Sequence, residues 1–251
     1  MPDTRFTVSK TGFSTRVFSA VNTAEGRYYA INKDAPINRF PYMQWDAVGY
    51  YVDGTQTGDQ AFNTITSGVA SNMCKDCPTA SMIYAYLLCG AYWDDGTHTD
   101  DDQPNYGCPD GSVQHTGLWL PRNEYIKANN LLSVATGDSK YDGKGVEDYD
   151  GTVNGGVDMI TESCGGIITS TTSQQDTEKI RSIGNYFFLP ASGAYYENSY
   201  VQPGTYGFYW SSTPYGIVAG DACSWCLNFH DNYASVTFGD CTLGCQSWTG
   251  L

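Results

Sequence analysis

Basic residues are scarce in this 251-residue chain. Only 13 Lys and Arg stand against 27 Asp and Glu, so the formal net charge is −14. A nucleic-acid-binding protein needs a basic surface that neutralises phosphates, and this composition therefore excludes nucleic acid as a partner. Anionic membrane surfaces are disfavoured for the same reason.

Long apolar runs are also missing. No stretch approaches the ~18 residues that a membrane-spanning helix requires, so we expect no membrane insertion. Residues 1–13 are polar and lack the basic and apolar regions of a secretory signal. Charged residues make up only 16% of the chain, and Gly, Tyr, Ser and Thr take their place. This composition favours strands and long turns over surface helices.

Histidine occurs only three times, as His98, His115 and His230. None of the three stands in a metal-binding spacing such as HExxH. Cys226 and His230 are four residues apart on a predicted strand, which places them about 13 Å apart and beyond a nucleophile–base hydrogen bond. We therefore expect no catalytic residues and no enzyme activity.

Nine cysteines are present, so at least one is unpaired within the chain. Cys74 and Cys77 form one CxxC motif, and Cys223 and Cys226 form another. Such a number fits an oxidising compartment, but the sequence does not determine disulfide connectivity. A four-cysteine zinc site is one interpretation of the two motifs, provided that the fold brings them together. A structural bridge or buried thiols are the alternatives.

An acidic, glycine-rich segment is the other candidate for a metal site. Residues 137–158 contain Asp148, Asp150 and Asp158 among glycine turns, and Ca²⁺ prefers such oxygen ligands. No EF-hand spacing is present, so a solvated loop is the alternative. We therefore expect no cofactor. If the segment does bind a metal, the expected ion is calcium.

Two helices are expected in the first half of the chain. The first begins at Pro78, ends before Gly90 and has an apolar face formed by Met82, Ile83, Tyr86 and Leu87. The second begins at Pro121 and has a core face formed by Tyr125, Ala128 and Leu132.

Strand patterns occupy both ends of the chain. A β-rich N-terminal segment is expected over residues 1–40, and the ligand-binding domain over residues 41–251. Toward the C-terminus, SWCLNF alternates large apolar residues with Cys226 and Asn228, and HDNY then turns the chain into a returning strand. The expected fold class is therefore α+β, with two helices and antiparallel sheets preceded by the short β-rich segment.

Four short motifs resemble those of a C-type-lectin-like family. LWLPRNEY, YFFLPASGAYY, GTYGFYWSSTPY and SWCLNF follow one another at the approximate spacing of the Fibrobacter-type major paralogous domain and of the variable proteins of diversity-generating retroelements. The most specific match is YWSST at 209–213, preceded by FLPASG at 188–193. Residues 74–96 are also similar to proteins of gut Bacteroidales and their phages. The chain departs from the family at its end, which reads FGDCTLGCQSWTGL.

This resemblance implies a C-type-lectin-like fold that displays interchangeable contact residues on a fixed scaffold. The implied scaffold positions are Trp210, Ser211, Ser212, Thr213, Leu227 and Phe229. The implied ligand-binding positions are Tyr209, Tyr215, Ile217, Cys226, Asn228, His230, Asn232 and Tyr233. Rich Tyr and Asn content is independently typical of binding surfaces, because rigid amphipathic rings and adaptable amides make contacts at low entropic cost.

The leading hypothesis is a non-enzymatic receptor-recognition protein whose ligand is a surface protein or a glycan. We expect it to be extracellular, on a cell surface or on a virion. Homo-oligomerisation is a further expectation, because display proteins gain avidity from multivalency. The alternatives are a structural phage or cell-surface component, and a metal- or thiol-dependent enzyme of the formylglycine-generating type, which shares the lectin-like fold.

Overall fold

Strands dominate the structure, a computed structural model. It describes residues 6–8, 16–18, 42–49, 63, 65, 68–96, 106–107, 113–132, 163–170, 185–196, 199–231, 233–246 and 248. The strands are β1 (Phe6–Val8), β2 (Arg16–Phe18), β3 (Tyr42–Met43), β4 (Tyr92–Asp94), β5 (Tyr106–Gly107), β6 (Val113–Gln114), β7 (Gly117–Pro121), β8 (Cys164–Ile167), β9 (Thr169–Ser170), β10 (Tyr186–Pro190), β11 (Ser192–Tyr196), β12 (Ser199–Pro203), β13 (Tyr206–Val218), β14 (Asp221–His230), β15 (Tyr233–Asp240) and β16 (Cys245–Gln246). The helices are α1 (Ala80–Leu88) and α2 (Asn123–Ala128).

Two large sheets enclose the main core. The larger sheet has the strand order β12-β11-β13-β14-β15-β8, and β16 joins it by pairing with β13 and with β3. The smaller sheet has the order β10-β7-β4-β9. Helix α1 contacts strands of both sheets, and the ring of Trp93 on β4 lies 6.2 Å from that of Phe229 on β14. The strand pairs β1–β2 and β5–β6 are antiparallel.

The expected α+β class is wrong, because the described part of the chain is largely β and sandwich-like. Pro121 is predicted to open the second helix, but it is the last residue of β7 and lies opposite Tyr186. As a result α2 begins only at Asn123 and is six residues long, with Ile126 as its buried residue. The correction extends to the C-type-lectin-like fold with two helices that the resemblance implied.

Helix α1 forms close to where the sequence predicts it. Its N-cap is Thr79, whose side chain accepts a hydrogen bond from the N–H of Met82 at 3.2 Å, so Pro78 precedes the helix. Gly90 follows it with a φ of +107°, a left-handed conformation that glycine adopts without steric cost. All residues of α1 are buried, because the helix contacts strands of both sheets. The buried surface of α1 is therefore wider than the single apolar face that the sequence predicts.

The predicted strand patterns are found at both ends of the chain. Phe6 and Val8 belong to β1, although the predicted boundary near residue 40 lies outside the described residues. At the other end, β14 and β15 form the predicted antiparallel hairpin. His230 lies opposite Tyr233, so the hairpin connection is two residues long.

A bulge ties β13 to helix α1. The register between β13 and β14 shifts at residues 211–213, within the YWSST motif. There the N–H of Ser212 donates to the carbonyl of Pro78 at 3.0 Å. The hydroxyl of Thr213 accepts a hydrogen bond from the N–H of Ala80, in the first turn of α1, at 3.1 Å. The scaffold positions named from the sequence are buried or, at Thr213, half-buried.

A buried carboxylate organises the loop before α1. Asp46 accepts hydrogen bonds at 2.7 to 3.0 Å from three backbone N–H groups, those of Ser71, Asn72 and Cys74. The side chain of Asn63 donates a fourth at 2.6 Å. Asp46 has a φ of +48°, a conformation that Asp and Asn adopt more readily than most residues.

Candidate functional site

One side of the larger sheet packs against the core. Tyr209 and Val236 flank Leu227 in a row across β13, β14 and β15, and all three are buried. In the adjacent row Gly207 lies opposite Phe229, and a Cβ at position 207 would lie 2.1 Å from the Phe229 ring. A side chain at position 207 is therefore excluded by the core.

The opposite side of the same strands opens to solvent near the β14–β15 connection. Its successive rows are Trp210–Cys226–Thr237, Phe208–Asn228–Ser235 and Tyr206–His230–Tyr233. On β13 and β14 the side chains change from buried in the first row to half-buried in the other two. On β15, Ser235 is buried and Tyr233 is 39% exposed. Neighbouring elements cover the first row, as shown by the indole of Trp210, which donates to the carbonyl of Met43 at 2.9 Å.

We call the partly solvent-accessible part of this side the aromatic face. It consists of the half-buried Tyr206, Phe208, Asn228 and His230 and the exposed Tyr233. Ring centroids lie 5.8 Å apart between Tyr206 and Phe208, 4.7 Å between Tyr206 and His230, and 5.6 Å between His230 and Tyr233. Each ring is therefore held by a neighbour, and such preorganisation lowers the entropic cost of binding. The amide oxygen Oδ1 of Asn228 is screened from solvent and has no hydrogen-bond partner among the described residues.

Three of the predicted binding residues, Asn228, His230 and Tyr233, lie together on the aromatic face. Asn232 lies outside the described residues. Tyr215 and Ile217 lie beyond the bulge, near the other end of β13. There the ring of Tyr215 stacks at 4.4 Å on that of Phe238, and Ile217 is 67% exposed. The predicted set is therefore divided between two regions of the sheet.

The remaining two predicted binding residues lie in the core. Tyr209 is 0% exposed, and its hydroxyl donates to the carbonyl of Pro190 at 3.0 Å. Cys226 is 3% exposed, and burial raises the pKa of its thiol to about 12. We therefore leave both out of the candidate surface.

Tyr206 and Phe208 belong to the aromatic face but are absent from the predicted set. Three consecutive aromatic residues at 208–210 hide the alternation of β13, because each side of the strand receives at least one ring. Gly207 is the signal that could have shown which residues of β13 share a side. It has no side chain and lies opposite the large Phe229, so the odd-numbered positions near it face the core and the even-numbered positions face the other way.

All of the cysteines that the structure describes are buried, and no disulfide joins any two of them: Cys74, Cys77, Cys89, Cys164, Cys223, Cys226, Cys241 and Cys245. In the part of the chain that is described, no group of three or more His, Cys, Asp or Glu side chains is arranged to hold a metal ion. Among the described residues, the two CxxC motifs are not brought together into one such group. The candidate calcium ligands Asp148, Asp150 and Asp158 lie outside the described residues, as does Cys108.

The segment of the chain that forms the aromatic face carries no Lys or Arg. Residues 182–251 contain no Lys and no Arg. Asp231 directly follows His230 and is exposed. The surface is therefore aromatic and amide-bearing, with an acidic margin.

No family model, no curated protein and no solved structure matches the chain. Among the residues that the structure describes, no helix is long and apolar enough to cross a membrane.

Proposed function

We propose that the protein recognises a surface protein or glycan through the aromatic face, without catalysing a reaction. The observation that carries the proposal is the row Tyr206–His230–Tyr233, which lies accessible across three adjacent strands whose other side is core. Rigid rings beside an amide are the residue types that binding surfaces use most. The resemblance of the YWSST region to retroelement variable proteins supports a display role.

Substitutions on the aromatic face test this proposal. We expect Tyr233→Ala and Asn228→Ala to reduce adhesion of the fluorescently labelled protein to intact Bacteroidales cells, or its binding to a glycan array. The expected loss is about tenfold for Tyr233→Ala, because exposed rings near the centre of an interface contribute disproportionately to affinity. Tyr196→Ala is the matched control, since Tyr196 is 54% exposed but lies on β11, outside the aromatic face.

A structural component that assembles through the same sheet is the second candidate. It is favoured by the apolar side chains of Ile217 and Phe238, which are exposed at the other end of β13–β15. Exposed apolar groups of this kind are typical of subunit interfaces. Adhesion of Tyr233→Ala and sedimentation of Ile217→Asp together separate the two candidates. Lost adhesion of Tyr233→Ala with normal sedimentation of Ile217→Asp supports recognition, whereas unchanged adhesion of Tyr233→Ala with altered sedimentation of Ile217→Asp contradicts it.

A further inference from the structure

The aromatic face offers electron-rich rings and an amide but no Lys or Arg, and the acidic residue Asp231 lies at its margin. Residues 182–251 include all of its members and contain no Lys or Arg. The same segment contains four acidic residues, Glu197, Asp221, Asp231 and Asp240. Of these, Asp231 lies in the connection that follows His230 and is exposed. An anionic ligand would therefore find no complementary charge from this segment.

The groups on the aromatic face favour a ligand that is positively charged and donates hydrogen bonds. The faces of tyrosine and phenylalanine rings attract cations electrostatically. Oδ1 of Asn228 is an acceptor that has no donor among the described residues, and an unsatisfied buried acceptor is stabilised when a partner supplies an N–H. Contact between a ligand and this oxygen requires a rotation of the half-buried Asn228 amide about its terminal torsion, which broad torsions of this kind allow.

From this complementarity we infer that the ligand of the aromatic face is a protein segment that presents an arginine side chain. The inference rests on the proposed function and names its partner. A guanidinium is planar, stacks on aromatic rings and carries several N–H donors, so its chemistry complements the ring of Tyr233, the amide of Asn228 and the carboxylate of Asp231. The net charge of −14 adds a long-range attraction for such a basic segment.

A synthetic peptide of Gly-Ser-Arg repeats is the probe, and the same peptide with citrulline in place of arginine is its neutral isostere. Calorimetric titration into the full chain at ~0.15 M salt is expected to give at least about tenfold tighter binding for the arginine peptide. Tyr233→Phe keeps the ring and is expected to keep the affinity. Tyr233→Ala is expected to lower it about tenfold, and Asp231→Asn severalfold. Tyr196→Ala is expected to bind as the unsubstituted protein does.

Equal affinity for the two peptides, or no binding of either, overturns the inference. If adhesion still depends on Tyr233 in that case, the proposed function stands and the ligand belongs to another class. Glycan-array binding that is lost in Tyr233→Ala and is not displaced by the arginine peptide overturns the inference in the same way. If adhesion is unaffected by Tyr233→Ala, the proposed function itself fails. Thermal unfolding of each variant shows whether a loss of binding reflects a loss of folding.

Discussion

The carboxylate of Asp46 shows how one side chain can hold a loop that has no regular structure. It accepts hydrogen bonds from the backbone N–H groups of Ser71, Asn72 and Cys74, which belong to no strand. Buried N–H groups without a partner are costly, because they lose their bonds to water on folding. The loop that precedes α1 therefore depends on a residue that is distant in sequence and belongs to the segment after β3.

We expect Asp46→Ala to lower the free energy of unfolding by about 3 kcal/mol, because the buried N–H groups lose a charged acceptor. Urea denaturation measures this change. Asp221→Ala is the control, since Asp221 is exposed, and a change within about 0.5 kcal/mol is expected there. Equal effects of the two substitutions would contradict a specific role for Asp46.

Among the larger elements, helix α1 and strand β13 stabilise each other through the bulge at residues 211–213. The bulge turns backbone groups away from β14 and toward the helix N-terminus. There the hydroxyl of Thr213 accepts the N–H of Ala80, one of the donors that a helix cannot satisfy internally. The YWSST motif thus has a structural function that is independent of ligand binding.

Thr213→Val keeps the shape of the side chain and removes this acceptor. We expect it to lower the free energy of unfolding by about 1 kcal/mol, the usual value of a helix cap. Hydrogen exchange of the first-turn amides of α1 should accelerate in parallel. Thr213→Ser retains the hydroxyl and should preserve most of the protection. Unchanged exchange in Thr213→Val would show that the bulge does not cap the helix.

The C-terminal hairpin was predictable because its pattern is local. Trp225, Leu227 and Phe229 alternate with smaller residues, and the turn residues follow at once. Pro121 misled the prediction, because a proline is acceptable both in the first turn of a helix and at the end of a strand. Only the pairing of β7 with β10, more than 60 residues later in the chain, decides between the two.

The candidate site was predictable in part, for a related reason. Asn228, His230 and Tyr233 share one side of the hairpin, and alternation identifies that side. The same alternation places Cys226 with them, yet Cys226 is buried. Its burial depends on the cover over this end of the sheet, to which β3 contributes through Met43. The sequence pattern of β14 alone cannot predict that a segment as distant as β3 covers this end of the sheet.

The molecule as a whole holds many thiols in a nonpolar interior. Burial raises the pKa of the Cys89 and Cys226 thiols to about 12, and it also raises the pKa of Cys241 and Cys245. In the unfolded chain a cysteine thiol has a pKa of about 8.5. At alkaline pH the unfolded chain therefore releases protons that the folded chain retains.

Stability should consequently fall as the pH rises. The thiols contribute fully below about pH 8.5, and their contribution is lost progressively as the pH rises toward the folded-state values. Urea denaturation under reducing conditions is expected to give a lower free energy of unfolding at about pH 10 than at about pH 7.5. Cys89→Ala should reduce this dependence on pH. A free energy of unfolding that does not change over this range would contradict the expectation.

The two-residue connection between His230 and Tyr233 has a consequence for how this protein can be diversified. Side chains on a strand alternate with a period of two, so a single inserted residue would send Tyr233 and every later position of β15 to the wrong side. Exchanging residue types at positions 206, 208, 228, 230 and 233 leaves that alternation untouched. A combinatorial library of constant length would therefore vary the chemistry of the surface while every residue of β15 keeps its side of the sheet.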